Sequence, residues 1–369
     1  MKKLKLENMR ILMICMLTLL FSNISSAQYE FTHTQDIACT KVKSQARTGT
    51  CWSFATASFI ETEMMRKGFS DLNLSEMFVV RNIYSDKARN YMLRQGKANF
   101  SQGSLSHDLL RIMGQNGIVT EEAYSGLMPG DKSHDHSEME AGLKGFLDGV
   151  MKSKRLSKKW QVAFEAILDS YMGELPKTFE YDGKTYTAES FADHLGFNAK
   201  EYKYLTSFSH HDFYESFILE IPDNYSNKSY YNLPIDNLVD MVDNAIEKGY
   251  SIAWDGDVSE KGFNAGKGIA VLPKDSGRED LFENPGDELE VDQQSRQDNF
   301  ESYATTDDHL MHIVGKATDQ NGTEYYIIKN SWGEISPYKG FLYMSKPYFK
   351  MKTVAVVLHK DAVSQERSE

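Results

Sequence analysis

Cysteine is scarce in this 369-residue chain, which contains three cysteines. Cys15 lies in an apolar N-terminal segment, so only Cys39 and Cys51 are expected in the folded part. Exported proteins usually pair their cysteines, and a disulfide between these two is the alternative that the count allows. Because Cys51 follows a small-residue turn and precedes a helical pattern, the sequence favours a free, reactive thiol over a disulfide-stapled fold.

Long apolar runs are also missing. The most apolar segment, residues 11–21, is too short to span a bilayer as a permanent anchor. It follows a basic segment and precedes Ser25-Ser26-Ala27, which is the pattern of a cleavable signal peptide. We therefore expect residues 1–27 to be a signal peptide. The mature chain is expected in the periplasm or outside the cell, with no membrane span.

Positive charge is in the minority, since 41 Lys and Arg face 53 Asp and Glu, for a formal net charge of −12. An acidic chain repels phosphate backbones, so we expect no nucleic-acid binding. The sequence contains no glycine-rich phosphate-binding loop and no internal repeat. His134-Asp135-His136 and His210-His211 have no evident third ligand and are interpreted as solvated loops. No metal or organic cofactor is expected.

Apolar periodicity divides the chain into a helical part and a strand-rich part. Apolar residues recur at helical spacing after Cys51, and again after Ser75, a suitable N-cap. The C-terminal third contains extended segments such as EYYIIKNSW and TVAVVLHK, while residues 274–301 are typical of a long acidic loop. The pattern predicts an α+β fold with two lobes.

The predicted organisation has four parts after the signal peptide. They are a helical lobe at about residues 40–130, a helical insertion at about 131–248, a β-rich lobe at about 249–358 and a C-terminal tail at 359–369. With 41% hydrophobic and 12% aromatic residues, the chain has enough apolar surface for a substantial core. We expect residues 28–369 to form one domain with two lobes sharing a cleft.

The segment QARTGTCWSF contains the candidate nucleophile. Only the thiolate attacks a carbonyl, and a free cysteine has a pKa of about 8.5, so its surroundings must favour the anion. The unpaired amides and partial positive charge of a helix start have this effect on Cys51. Gln45, six residues upstream, is placed to donate its side-chain amide to an oxyanion together with the Cys51 backbone N–H.

A base is needed beside the thiol, and DDHLMHIVG offers His309 and His312. In a strand these two side chains point to opposite faces, so only one of them is expected to face Cys51. Farther along, IIKNSWG supplies Asn330 to orient an imidazole and Trp332 to shield that contact from water. These residues supply the nucleophile, base and orienting group of a catalytic triad.

In this order, the motifs resemble the papain-like cysteine peptidases, and in particular their bleomycin hydrolase and aminopeptidase C branch. The matching stretches are Gln45…Thr48-Gly49-Thr50-Cys51-Trp52, Gly117-Ile118-Val119…Tyr124, Thr305-Thr306-Asp307-Asp308-His309-Leu310-Met311 and Asn330-Ser331-Trp332-Gly333. The family's histidine precedes a glycine by six residues, as His309 precedes Gly315, which selects His309 over His312. The resemblance implies a two-lobed papain-like fold and a thiolate–imidazolium pair, with Cys51, His309, Asn330 and Gln45 as catalytic residues.

The same resemblance implies contacts with the peptide substrate from Gly103, Ser104, Asp308 and Trp332. Gly103-Ser104 matches the family's substrate-binding glycine pair only in part. In papain the nucleophile and histidine lie about 130–150 residues apart, and the insertion accounts for the larger separation here. The branch also implies a homohexamer, and a C-terminal arm that enters the cleft and restricts cleavage to N-terminal residues.

Three functions are compatible with these observations. We favour a cysteine aminopeptidase that acts through an acyl-enzyme intermediate, with its tail in the cleft. An endopeptidase would use the same residues with the tail outside the cleft. A non-catalytic binding protein would keep the fold without a reactive thiol.

Overall fold

The computed structural model describes residues 28–153 and 155–363. The predicted signal peptide and the last six residues of the predicted tail lie outside the described residues. The helices of the described part are α1 (Cys51–Arg66), α2 (Glu76–Leu93), α3 (Ser106–Asn116), α4 (Ser137–Met151), α5 (Lys159–Met172), α6 (Ala188–His194), α7 (Ile235–Glu247), α8 (Gln293–Glu301) and α9 (Lys346–Lys352). None of these helices combines the length and apolar character needed to cross a membrane.

The strands of the described part are β1 (Thr32–Asp36), β2 (Phe179–Tyr181), β3 (Lys184–Tyr186), β4 (Tyr202–Thr206), β5 (Ser216–Ile218), β6 (Ser229–Asn232), β7 (Ile252–Gly256), β8 (Phe263–Asn264), β9 (Ile269–Ala270), β10 (His309–Thr318), β11 (Glu324–Lys329), β12 (Phe341–Ser345) and β13 (Thr353–His359). Eleven of them form one sheet in the order β5-β6-β4-β13-β7-β10-β11-β12-β9-β8, with β1 paired to β10. β2 and β3 form a separate hairpin. The predicted α+β organisation is confirmed.

Helices α1 to α3 form the first lobe. α1 is buried along most of its length, as its apolar and small side chains allow. α2 begins after Ser75, whose hydroxyl accepts a hydrogen bond from the backbone N–H of Phe78, as expected of an N-cap. α3 ends at Gly117, which has a φ of +83° and lies so close to the backbone of Ala188 that a Cβ would not fit.

The two faces of β7 and β10 belong to different cores. Trp254 of β7 lies in the core of the β-rich lobe, whereas Ala253 and Leu310 of β10 pack with residues of the helical lobe. His312 shares the face of Leu310 because side chains alternate along a strand. Its Nδ1 lies 2.8 Å from the hydroxyl of Ser58, so α1 covers this inter-lobe face of the sheet.

The tract at residues 131–248 is less helical than the sequence predicted. Helices α4 to α7 lie there, but so do strands β2 to β6. β4 pairs with β13 and thereby extends the main sheet. These strands are three to five residues long, too short for a clear alternating pattern, and their conformation depends on strand partners that are distant in sequence. Met139, Phe164 and Phe191 of this tract pack into the core of the helical lobe.

The predicted long loop at residues 274–301 also needs correction, because it ends in helix α8. The helix begins at Asp292, which forms a reciprocal capping box with Ser295. Its sequence, QQSRQDNFE, has almost no apolar residues, so no amphipathic pattern indicates a helix.

Arg296 connects α8 to the main sheet. Its buried guanidinium donates to the backbone carbonyls of Ser207 and Lys350, each at 2.8 Å, and to that of Thr353. The same group lies over the ring of Phe208, 4.7 Å from the ring centroid. Burial lowers the pKa of Arg296 to about 9.

We expect Arg296→Met to lower the free energy of unfolding by roughly 2–4 kcal/mol, because three buried carbonyls lose their donor. The measurement is urea unfolding followed by circular dichroism. Arg89 is an exposed arginine of α2, and Arg89→Met is the matched control, with an expected change of less than about 0.5 kcal/mol. An Arg296→Met protein as stable as the wild type would contradict this account of α8.

Candidate active site

Cys51 is the first residue of α1, and Thr50 is its N-cap. The turn before it is held by hydrogen bonds from Gln45 Nε2 to the carbonyl of Thr48 (2.7 Å) and from Thr48 Oγ1 to the carbonyl of Gln45 (2.7 Å). Thr50 makes no side-chain capping bond, and N–H groups in the first turn of a helix have no intrahelical acceptor. Cys39 and Cys51 are both free thiols.

Gln45 is oriented from the opposite lobe. The hydroxyl of Ser331 donates to Gln45 Oε1 at 2.7 Å, and the backbone N–H of Gln45 donates to the carbonyl of Ser331 at 2.8 Å. The side-chain amide of Gln45 has two hydrogens, of which one bonds Thr48. The second N–H is therefore the one that could serve an oxyanion.

The sulfur of Cys51 lies against the start of β10. The backbone amide of Leu310 lies near this sulfur and opposes the rise in the pKa of the thiol, and Leu310 directly follows His309. His312 interacts instead with Ser58, about two helical turns along α1 from Cys51. The candidate nucleophile and His309 therefore lie at the starts of two elements that pack on each other, α1 and β10.

His309 is held by the loop that follows β11. Its Nε2 lies 2.8 Å from Asn330 Oδ1, and this oxygen also accepts the backbone N–H of Ser331 at 2.7 Å. The contact therefore requires a proton on Nε2, which leaves Nδ1 as the basic nitrogen. Trp332 covers the pair, with its ring centroid 4.5 Å from that of His309.

The Gly103-Ser104 pair is less open than its predicted role requires. Asp223 fills the space beside Gly103, since a Cβ there would fall 1.9 Å from Asp223 Oδ2. The buried hydroxyl of Ser104 donates to Asp108 at 2.8 Å. The Ser104 side chain is therefore committed to the helical lobe, and the predicted contact of Gly103 and Ser104 with the substrate backbone stays a prediction.

Asp308 and Trp332 lie on the two sides of His309. Asp308 is exposed and accepts a hydrogen bond from Thr306 Oγ1 at 2.7 Å. Trp332 is half-buried against the imidazole. Both residues adjoin the predicted triad, so the structure leaves them open to contact a peptide.

Two family models match the sequence. The papain family cysteine protease model matches residues 27–175. The peptidase C1-like family model matches residues 167–369, more than half of the chain. The chain belongs to the peptidase C1-like family. It is a cysteine peptidase, and the predicted family and enzyme class are confirmed.

Curated relatives of this peptidase match over most of their length. Aminopeptidase G of Lactobacillus delbrueckii subsp. lactis is 23% identical, over 89% of this chain and 83% of the relative. Aminopeptidase E of Lactobacillus helveticus is 24% identical, with the same coverage of both chains. The crystal structure of PepW from Lactobacillus rhamnosis HN001 superposes with a TM-score of 0.71, at 18% identity, over 90% of this chain and 83% of PepW. The papain-like fold is confirmed.

Burial opposes charge on both members of the Cys51–His309 pair. Burial raises the pKa of the Cys51 thiol to about 12, and the Leu310 amide opposes this rise. Three nearby carboxyl groups raise the pKa further, those of Asp307, Asp255 and Asp223. Burial lowers the pKa of His309 to about 4, against the opposing effect of Asn330. The substrate-free surroundings of the peptidase thus favour a neutral thiol and imidazole. A thiolate–imidazolium pair depends on mutual attraction and on the start of α1.

Sequence reasoning gave no role to Ser331 or to the buried acids near Cys51. The sequence shows Ser331 inside the NSWG motif, but it does not indicate the hydrogen bond of Ser331 to Gln45. Asp255 lies in β7, far from every catalytic motif in sequence. Only the strand pairing of Asp255 with Leu310 brings it to the site.

The adjacent histidines His210 and His211 lie beside a carboxylate. His210 and His211 have a third potential ligand that the sequence did not indicate, Glu220, at 3.2 and 2.7 Å from their Nε2 atoms. Gln297 also lies 2.9 Å from His210 Nδ1. These polar contacts engage both ring nitrogens of His210 and the Nε2 of His211.

The bond from Ser331 to Gln45 predicts non-additive kinetics. We expect Gln45→Ala to lower kcat by about 10²–10³-fold, as for other oxyanion donors. Ser331→Ala should lower kcat by about 10-fold, because Gln45 is retained but poorly oriented. In the Gln45→Ala background, Ser331→Ala should have little further effect. Steady-state kinetics of the four proteins test this, and multiplicative losses would contradict the proposed link.

Proposed function

We propose that this cysteine peptidase is an aminopeptidase that releases N-terminal residues from peptides through a Cys51–His309–Asn330 triad. The observation that carries the proposal is the hydrogen bond between the His309 ring and Asn330, made at the start of the strand that packs against the helix of Cys51. The names of the relatives, aminopeptidases G, W and E, support the exopeptidase specificity.

The proposed reaction uses each group in a defined role. Cys51 transfers its proton to His309 and its sulfur attacks the scissile carbonyl. The second N–H of Gln45 and the Cys51 backbone amide stabilise the oxyanion. His309 protonates the leaving amine and then activates the water that hydrolyses the acyl-enzyme. Asn330 holds the imidazole throughout, and Trp332 shields their hydrogen bond.

We propose further that the enzyme is exported, to the periplasm or the cell exterior, after cleavage of residues 1–27. The basic, apolar and small-residue segments of this leader support the proposal. Its substrates are peptides, and the acidic net charge argues against nucleic-acid partners. A homohexamer is proposed on the resemblance to the bleomycin hydrolase and aminopeptidase C branch.

Matched fluorogenic substrates distinguish an aminopeptidase from an endopeptidase. We expect kcat/KM for aminoacyl substrates with a free α-amine to exceed that of their N-acetylated forms by roughly 100-fold or more, as for recognition of a buried charge. Cys51→Ala, assayed in parallel, should cleave neither. Equal turnover of free and acetylated substrates would contradict aminopeptidase specificity.

The two candidate bases should behave differently on substitution. We expect His309→Ala to lower kcat/KM by roughly 10³-fold or more, with a native circular dichroism spectrum. His312→Ala is the matched control, because it removes a buried imidazole that bonds Ser58 and does not reach Cys51. It should lower stability while the folded fraction retains activity. Loss of activity in His312→Ala alone would contradict the assignment.

A further inference from the structure

A carboxylate faces the nucleophile from the centre of the main sheet. Asp255 pairs with Leu310 in the antiparallel ladder of β7 and β10. Because side chains alternate, it shares the face of Ala253, which packs against the helical lobe. Since Leu310 is the residue whose amide lies near the Cys51 sulfur, Asp255 lies on the inter-lobe face at the level of the nucleophile.

Asp255 is buried without the donors that such a group normally has. Its side chain is 4% exposed. Neither of its carboxyl oxygens has a hydrogen-bond partner among the described residues. The carboxyl of Asp307 lies near it and helps to raise the pKa of Asp255. One oxygen of Asp307, Oδ2, is likewise buried without a partner. Buried carboxylates are costly unless they are paired, so the two point to a cationic group that binds between the lobes.

The adjoining end of the cleft is closed by a segment of the insertion. Asn99 Nδ2 donates to the carbonyl of Pro222 at 3.3 Å and to Asp223 at 2.8 Å. Asp223 in turn fills the space beside Gly103. Lys87 is the cation here, but its ammonium donates to the carbonyls of Ser101 and Gly103. The segment therefore lies beside Gly103 and adds a third acid, Asp223.

We propose that Asp255 and Asp307 bind the α-ammonium group of the substrate, and that Asp223 closes this pocket. The inference rests on the proposed aminopeptidase function. In an aminopeptidase the ammonium nitrogen is two bonds from the scissile carbonyl carbon, so its binding site must adjoin the nucleophile. This acidic pocket, formed by Asp223, Asp255 and Asp307, meets that requirement, because Asp255 pairs with Leu310 and Asp223 lies beside Gly103.

The protonation of the acidic pocket agrees with this role. Burial raises the pKa of Asp255 well above its usual range, and the nearby carboxyls of Asp307, Asp223 and Asp308 raise it further. Burial raises the pKa of Asp307 to about 7, with Asp223 adding to the rise and Lys87 opposing it. Asp255 and Asp307 sharing one proton carry one negative charge, which matches one ammonium group.

The test compares Asp255→Asn and Asp307→Asn enzymes on free-amine and N-acetylated aminoacyl substrates. We expect kcat/KM for the free amines to fall roughly 30-fold or more in each variant, mainly through KM. Turnover of the acetylated substrates should stay the same or rise, so the ratio between the two substrates collapses. Asp212 is exposed in the insertion, and Asp212→Asn should leave the ratio unchanged.

A second readout reports on the site without turnover. Asp307, Asp255 and Asp223 all raise the pKa of Cys51, so removing the charge of Asp307 should lower the thiol pKa. The pH profile of Cys51 alkylation by iodoacetamide should therefore shift to lower pH in Asp307→Asn. A native circular dichroism spectrum of Asp307→Asn is required alongside, because an unfolded chain would also be alkylated at lower pH. Asp307→Glu, which restores the carboxylate, should recover part of the preference for free amines.

The outcomes separate this inference from the proposed function. If the wild type cleaves acetylated and free substrates equally, the aminopeptidase function fails, and the inference with it. If the wild type prefers free amines and both Asn variants keep that preference, the function stands and the acidic pocket is overturned. The inference is also overturned if deleting residues 364–369 removes the preference while Asp255→Asn retains it.

Discussion

The active site depends on the packing of α1 against β10 across the lobe interface. Cys51 begins α1, and His309 begins β10. The hydrogen bond from Ser58 to His312 and the proximity of the Cys51 sulfur to the Leu310 amide align the two elements. Because both elements are rigid and buried, a thiol and an imidazole from distant parts of the chain are held in one geometry. A change in the relative position of the lobes would separate them.

A second connection between the lobes fixes the groups around the reacting atoms. The chain before Cys51 pairs with the chain after Asn330, through the contact of Ser44 with Trp332 and the bonds between Gln45 and Ser331. The same short segment thus orients the oxyanion donor and the loop that holds the imidazole. This coupling gives Ser331 a positioning role without contact with the reacting atoms.

The acidic pocket has two opposite effects on the proposed reaction. Its carboxylates would attract a substrate ammonium group, but the same negative charge disfavours the thiolate form of Cys51. A cation bound in the pocket would neutralise the buried acids and thereby lower the pKa of Cys51. Ammonium binding and activation of the nucleophile would then be linked.

The sequence predicted much of this arrangement because its motifs are local. The start of α1 at Cys51 and the N-cap of α2 at Ser75 follow from turn and helix signals that neighbouring residues specify. The sequence also showed the order and spacing of His309 and Asn330, although their contact requires the fold.

Other features were not predictable, because they depend on partners far away in sequence. Strand β4 is stabilised by pairing with β13, and Asp255 reaches the site only through its register with Leu310. Ser104 appeared in a substrate-binding motif, but its hydroxyl bonds Asp108 inside the lobe.

The central claim is that Cys51 is a reactive thiol activated across the interface by His309. Incubation with an epoxysuccinyl thiol-protease inhibitor, followed by intact-mass analysis and peptide mapping, tests it most directly. The account predicts a single adduct, located at Cys51, that is absent in Cys51→Ala and forms far more slowly in His309→Ala. An adduct at Cys39, no adduct in the wild type, or equal rates in wild type and His309→Ala would contradict it.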